Sequence, residues 1–136
     1  MAKVSFDYDK TLSKPHIQEY AKQLLDQGHE VWVVTARYDE CHIHLYNKPE
    51  WTEAGHEDLW EVVDTLGIPR HHVRFMNMEP KYTYLDKTYF VWHLDDDFVE
   101  ISDAKHHGCS VPFIQVESGS WKNKCERLLK KKTNGK

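Results

Sequence analysis

Apolar and polar positions fall in blocks along the chain, and the blocks have two different periods. Val4 to Phe6 is a short apolar run that stops at Asp7. Ile17, Tyr20, Ala21, Leu24 and Leu25 then recur at helical spacing, so a helix with one apolar face is predicted from Ser13 to Gly28. Ser13 offers an N-cap, Pro15 suits the first turn and Gly28 the end. EVWVVTA, 30–36, is a near-continuous apolar run, the mark of a strand covered on both faces. Residues 38–55 are polar, aromatic and His-rich, and predict irregular structure. EDLWEVVDTLG, 57–67, is an amphipathic helix closed by Gly67 and Pro69. A third strand is predicted at 72–76, a short helix or turn at 80–88, and a fourth strand at 89–94, ending at Asp95, Asp96 and Asp97. A helix over 98–107 stops at Gly108. A fifth strand follows at 111–116, and a last helix runs from Trp121 to about Lys131. Strands alternating with helices predict a parallel sheet with helices on both faces.

Composition narrows the class. A chain of 136 residues makes one domain, spanning 1–136, with no room for a second core. The net charge of −4 implies no strong affinity for polyanions. The charge is uneven, because seven basic residues and one acid lie between Trp121 and Lys136. That end reads as a solvated helix with a tail disordered from about residue 130; a phosphate-steering surface is the sharper alternative. The three cysteines are odd in number and show no CxxC spacing, which predicts a reducing compartment. Lys3, Asp7 and Asp9 interrupt any apolar leader, and no run approaches the ~18–20 apolar residues of a membrane span. A soluble, cytoplasmic protein without a membrane partner is expected.

The suspicious residues all follow strands. Asp7 and Asp9 follow the first, Thr35 and Arg37 close the second, and Asp95, Asp96 and Asp97 follow the fourth. A parallel sheet brings those ends to one edge, where ligands bind. Four or five carboxylates converging there repel one another unless a hard divalent cation joins them, and Mg²⁺ suits oxygen ligands. A hydroxyl, a guanidinium and a lysine complete a phosphate cradle. A carboxylate so held attacks phosphorus, and a second one, two residues on, serves as general acid and then base. Asp97 reads as a helix N-cap instead. The ten histidines show no zinc spacing with cysteine and read as surface residues.

FDYDKTL (6–12) resembles the DxDxT signature of the haloacid dehalogenase superfamily of phosphohydrolases. VVTAR and HLDDD resemble that superfamily's second and fourth motifs, and the likeness spans residues 3 to about 120. The resemblance implies a three-layer, Rossmann-like α/β fold with five parallel strands in the order 3-2-1-4-5. It implies Asp7 as nucleophile and Mg²⁺ ligand. Asp9 would be the general acid/base, giving the metal its backbone carbonyl. Thr35 would bind phosphoryl oxygens, and Asp95 and Asp96 the metal, directly or through water. The third-motif lysine is Lys81 or Lys87, with Lys81 fitting better after Pro80. The usual glycine after the second aspartate is Lys10 here. VTAR, LDDDFVEISDAKHHG and FIQVESGSW are also similar to the 3′-phosphatase domains of phage polynucleotide kinases, which implies that Arg37 grips substrate phosphate. No kinase P-loop occurs in the chain.

No cap domain fits after Asp9 or within 38–80, so an open site is expected. Open sites suit a nucleic-acid end or a phosphoprotein, or are covered by a second copy in a homo-oligomer. Tyr38, Tyr46 and Trp51 offer stacking surfaces for a base, or simply pack the loop. The expected activity is Mg²⁺-dependent phosphomonoester hydrolysis through an aspartyl-phosphate, on a nucleic-acid 3′-phosphate or a nucleotide. The alternatives are a phosphatase of a small metabolite or phosphoprotein, or a module that binds phosphate without turnover.

Overall fold

A computed structural model describes residues 1–48, 50 and 55–134, with side chains through 131. Five strands form one parallel sheet: β1 (Lys3–Phe6), β2 (Glu30–Thr35), β3 (Val73–Phe75), β4 (His93–Asp95) and β5 (Phe113–Gln115). Their order is β3-β2-β1-β4-β5, as the sequence predicts. β1 is central, with Phe6 opposite Val33 on one side and Leu94 on the other. The chain builds outward through β2 and β3, then crosses back to β4. The reversal therefore falls between β1 and β4, and a crevice opens at their carboxyl ends.

Alternation along the strands divides the core. Val4, Phe6, Val31, Val33, Trp92 and Leu94 face α1 (Pro15–Asp26), α2 (Glu57–Leu66) and α5 (Trp121–Asn134). Val34, Met76, Phe90 and Val111 pack on the opposite face with Leu85 of the short α3 (Tyr82–Leu85). α4 (Phe98–His106) packs on β4 and β5. Burying such two-sided strands at about 25 cal/mol per Å² of apolar area drives this layering. No helix among the described residues is long and apolar enough to cross a membrane.

Several local expectations change. Ser13 is not the N-cap of α1; Lys14 holds that position in an extended conformation. The reason is the preceding turn, whose Lys10 N–H donates to Ser13 Oγ at 3.1 Å, while Ser13 is already helical. The fourth and fifth strands are shorter than their apolar runs. Hydrogen bonds nevertheless extend beyond the ladders, from Val91 N to Lys3 O and from Val116 N to Asp95 O. The last helix continues past Lys131 to Asn134; Gly135 and Lys136, the end of the expected disordered tail, lie outside the described residues. Within 38–55 the short turn Ile43–Leu45 and Glu50 are helical among the described residues, and Trp51 lies outside them.

After β1 the chain makes a tight turn. Asp9 (φ −65°, ψ 126°) and Lys10 (φ 60°, ψ 11°) have the dihedrals of a type II turn, whose third residue favours glycine. A left-handed lysine costs about 1–2 kcal/mol, and a glycine there gives part of that back as unfolded-state entropy. Lys10 is exposed and loses little packing on truncation. Lys10→Gly is therefore expected to raise the melting temperature by a few degrees, read by thermal denaturation; a lower melting temperature would show that the turn is not strained.

Candidate active site

The extended end of β1 carries Ser5 and Asp7 to one face of the sheet, and β4 carries His93 and Asp95 to the same face. From beyond that face comes Lys81, which directly follows Pro80 and precedes α3. Its ammonium lies 2.7 Å from Asp7 Oδ1 and 2.7 Å from Asp95 Oδ2, with only 2% of its side chain exposed. The backbone N–H of Lys81 donates to Glu100 Oε1 at 3.1 Å, so α4 sets the position of the loop. Lys87, the other candidate, is exposed, and its N–H donates to Ser110 Oγ instead.

A polar chain fixes the two aspartates. Ser5 Oγ lies 2.8 Å from His93 Nδ1, and His93 Nε2 lies 2.7 Å from Asp95 Oδ2. Burial pushes the His93 ring toward its neutral form, against the pull of Asp95. A carboxylate only accepts, hence Nε2–H donates to Asp95 and Nδ1 accepts from the serine hydroxyl. Asp95 also receives the Asp97 N–H at 3.0 Å, and Thr11 Oγ1 donates to Asp7 Oδ2 at 3.3 Å. Asp97 itself accepts from Val99 N–H at 2.9 Å, the N-cap of α4.

The electrostatics of the two aspartates diverge. Burial pushes the Asp7 carboxyl well above the usual carboxylate range; Lys81 opposes this, and Asp95 and Asp96 add to it. Asp95 is buried too, but the His93 hydrogen bond and the Lys81 charge outweigh burial and hold it well below that range. Burial alone would lower Lys81, yet Asp7 and Asp95 keep it protonated.

Asp7, Asp95 and Asp96 bring carboxylate oxygens within 4.8 Å of one another. Lys81 neutralises one of the three charges, so the cluster is about two positive charges short of balance. That deficit and an all-oxygen donor set fit a hard divalent cation such as Mg²⁺. The other expected residues lie along the rim. Asp9 and Lys10 border the crevice of about 440 Å³ that holds Asp7, Lys81 and Asp96. Ala36 borders it as well, whereas Thr35 does not: its hydroxyl is buried and accepts the Arg37 N–H at 3.3 Å.

Arg37 occupies a junction that the sequence did not suggest. It donates from Nε and Nη2 to both oxygens of Asp9, at 2.9 and 2.7 Å. From Nη1 and Nη2 it also donates to both oxygens of Asp58, at 3.0 and 2.9 Å. His56 Nδ1 lies 3.2 Å from Nη1, and His56 Nε2 lies 2.6 Å from Tyr38 O. Asp9, Arg37, His56 and Asp58 border a second cavity of about 640 Å³ that shares Asp9 and Ala36 with the first and reaches Tyr46 and Met78. Tyr38 and Tyr46 pack edge to face, with the Tyr46 hydroxyl accepting the Tyr38 N–H.

Five residues of the site were not anticipated: Ser5, His93, Glu100, His56 and Asp58. His93 stands two positions before Asp95, so strand alternation was a usable signal for it. Asp58 reads in sequence as an ordinary acid in the first turn of a helix. No protein-family model, no curated protein and no solved structure matches the chain.

Proposed function

We propose that the chain is a phosphomonoester hydrolase of the haloacid dehalogenase type, working with Mg²⁺ through an aspartyl-phosphate on Asp7. The observation that carries this reading is Lys81, buried between Asp7 and Asp95 at the carboxyl ends of β1 and β4. A lysine there opposes the burial that disfavours the ionised nucleophile and faces the position of a transferring phosphoryl group. Asp7, Asp95 and Asp96 would hold the cation, which when bound neutralises phosphoryl charge and aligns the phosphate for attack.

The residues divide the work. One Asp7 oxygen attacks phosphorus as the bond from phosphorus to the leaving oxygen breaks. Asp9, at the crevice mouth, gives that oxygen its proton. Water then attacks the aspartyl-phosphate, Asp9 takes the water proton, and Asp7 is released as a carboxylate. Lys81 compensates charge on Asp7 through both steps. His93 and Ser5 hold Asp95, and Glu100 holds the Lys81 loop.

The leaving group would occupy the adjoining cavity, whose 640 Å³ accepts a nucleoside. Among the described residues, Asp9, Glu57 and Asp58 line it against Arg37. That lining favours a neutral sugar and base over a phosphodiester strand, so a nucleoside monophosphate is preferred to a nucleic-acid 3′-phosphate. The test is phosphate release in Mg²⁺ and in EDTA. The panel holds an aryl phosphate, nucleoside 3′- and 5′-monophosphates, and oligonucleotides phosphorylated at either end. Release that needs Mg²⁺, faster from mononucleotides than from oligonucleotides, is the expected result. No release from any of them rejects the hydrolase, and faster release from oligonucleotides rejects the substrate assignment.

A further inference from the structure

Arg37 has five N–H donors, and all five are taken. Nε–H and one Nη2–H hold Asp9; the other Nη2–H and one Nη1–H hold Asp58; the last points at His56 Nδ1. Both carboxylates are gripped by two parallel bonds, the geometry that fixes the plane as well as the distance of a carboxylate. The guanidinium also lies over the Tyr8 ring, 5.0 Å from its centre, and the arginine side chain is only 16% exposed. Asp9 and Asp58 themselves are more than half exposed, at 56% and 57%. Solvent-facing carboxylates rotate freely unless held. Here the half-buried arginine is the fixed part and Asp9 is the part it fixes.

We propose that Asp58, through Arg37, is a positioning residue for Asp9, and that Arg37 orients the acid/base and does not grip the phosphate. A phosphoryl oxygen could bind Arg37 only by displacing one of the two carboxylates or the His56 ring. Asp58 stands at the start of α2, fixed to the core by Leu59 and Val63, and so ties the rim of the crevice to the body of the domain. His56 braces the same arginine from the turn before α2, with its Nε2–H donating to Tyr38 O. The proposal rests on the hydrolase reading, in which Asp9 transfers the proton.

The leaving group separates the two roles of Arg37. An aryl phosphate leaves without a proton, whereas a nucleoside monophosphate needs one. Both carry the same phosphoryl group. The value of kcat/KM reports only steps up to the first irreversible one, here formation of the aspartyl-phosphate. Asp58→Asn is therefore expected to lower kcat/KM for the nucleotide by at least about tenfold and for the aryl phosphate much less. Asp9→Asn should show the same selectivity, larger, and the double variant should be no slower than Asp9→Asn alone. Asp58→Glu should recover part of the loss. Equal losses on the two substrates would assign Arg37 and Asp58 to phosphate binding and overturn the proposal, as would no loss on either. A second readout is the solvent exchange of the Arg37 Nε–H by NMR in protein without metal. It should be slow in the wild type and fast in Asp58→Asn. Fast exchange in an active wild type rejects the clamp alone; a wild type that turns over no substrate rejects the hydrolase reading and the catalytic role with it.

Discussion

Asp7→Asn is expected to abolish phosphate release and, in EDTA, to melt no lower than the wild type. The activity loss follows from the chemistry. An amide oxygen does not attack phosphorus to give an acyl phosphate, so kcat should fall by roughly four orders of magnitude or more. The stability change has the opposite sign because of where Asp7 sits. Its carboxylate is 7% exposed, and oxygens of Asp95 and Asp96 lie within 4.8 Å of its own. Lys81 is shared between Asp7 and Asp95, so it neutralises neither fully. An amide of the same shape removes a buried charge and its repulsion, leaving one Lys81–Asp95 pair in balance. A gain of up to about 1 kcal/mol, a few degrees in melting temperature, is the scale of relieving such active-site strain. Saturating Mg²⁺ should reverse the order, because only the wild type has the full carboxylate set and gains stability from binding. Thermal melts in EDTA and in Mg²⁺, beside a phosphate-release assay, read both signs. Activity above about one per cent of wild type would remove Asp7 from the role of nucleophile.

Charge at a strand end was the legible part of this site. Asp7, Asp95 and Asp96 stand where apolar runs stop, and a parallel sheet leaves such ends on one edge, so their convergence was readable before any coordinates. The parallel sheet was readable too, because apolar strand blocks alternate with amphipathic helices, and its order 3-2-1-4-5 is the one the motif resemblance implies. Lys81 was harder. Nothing in its neighbours fixes its direction except Pro80; what selects it over Lys87 is the Glu100 carboxylate across the fold, a contact nineteen residues away in sequence. Asp58 and His56 were not legible, because their partner is one guanidinium on a loop about twenty residues earlier and no local period records that. The N-cap of α1 moved for a similar reason. Ser13 has the right side chain, but its hydroxyl already accepts a hydrogen bond from the left-handed Lys10. In each case a local preference yielded to a polar contact made elsewhere.

The largest stability effect is expected from Lys81→Met. Methionine nearly fills the volume of the lysine and keeps the backbone N–H that Glu100 accepts, so the loop can stay in place. The ammonium is lost, and with it the ion-pair partner of Asp7 and one of the hydrogen-bond donors to Asp95. Breaking a buried pair by removing one member costs about 3–5 kcal/mol, since the other charge stays desolvated. For a domain of this size that is a fall in melting temperature on the order of 10–20 °C in EDTA. Adding Asp7→Asn to Lys81→Met should recover part of the loss, because one of the stranded carboxylates is gone; this is the sign of a coupled pair rather than of a packing defect. Mg²⁺ should also restore part of it by binding the same oxygens, while turnover stays low for want of the lysine charge on the phosphoryl group. Lys87→Met is the control, and its exposed side chain should change the melting temperature little. A Lys81→Met protein that melts with the wild type, or a double variant that is worse than either single one, would show that Asp7 and Asp95 are not held by this lysine.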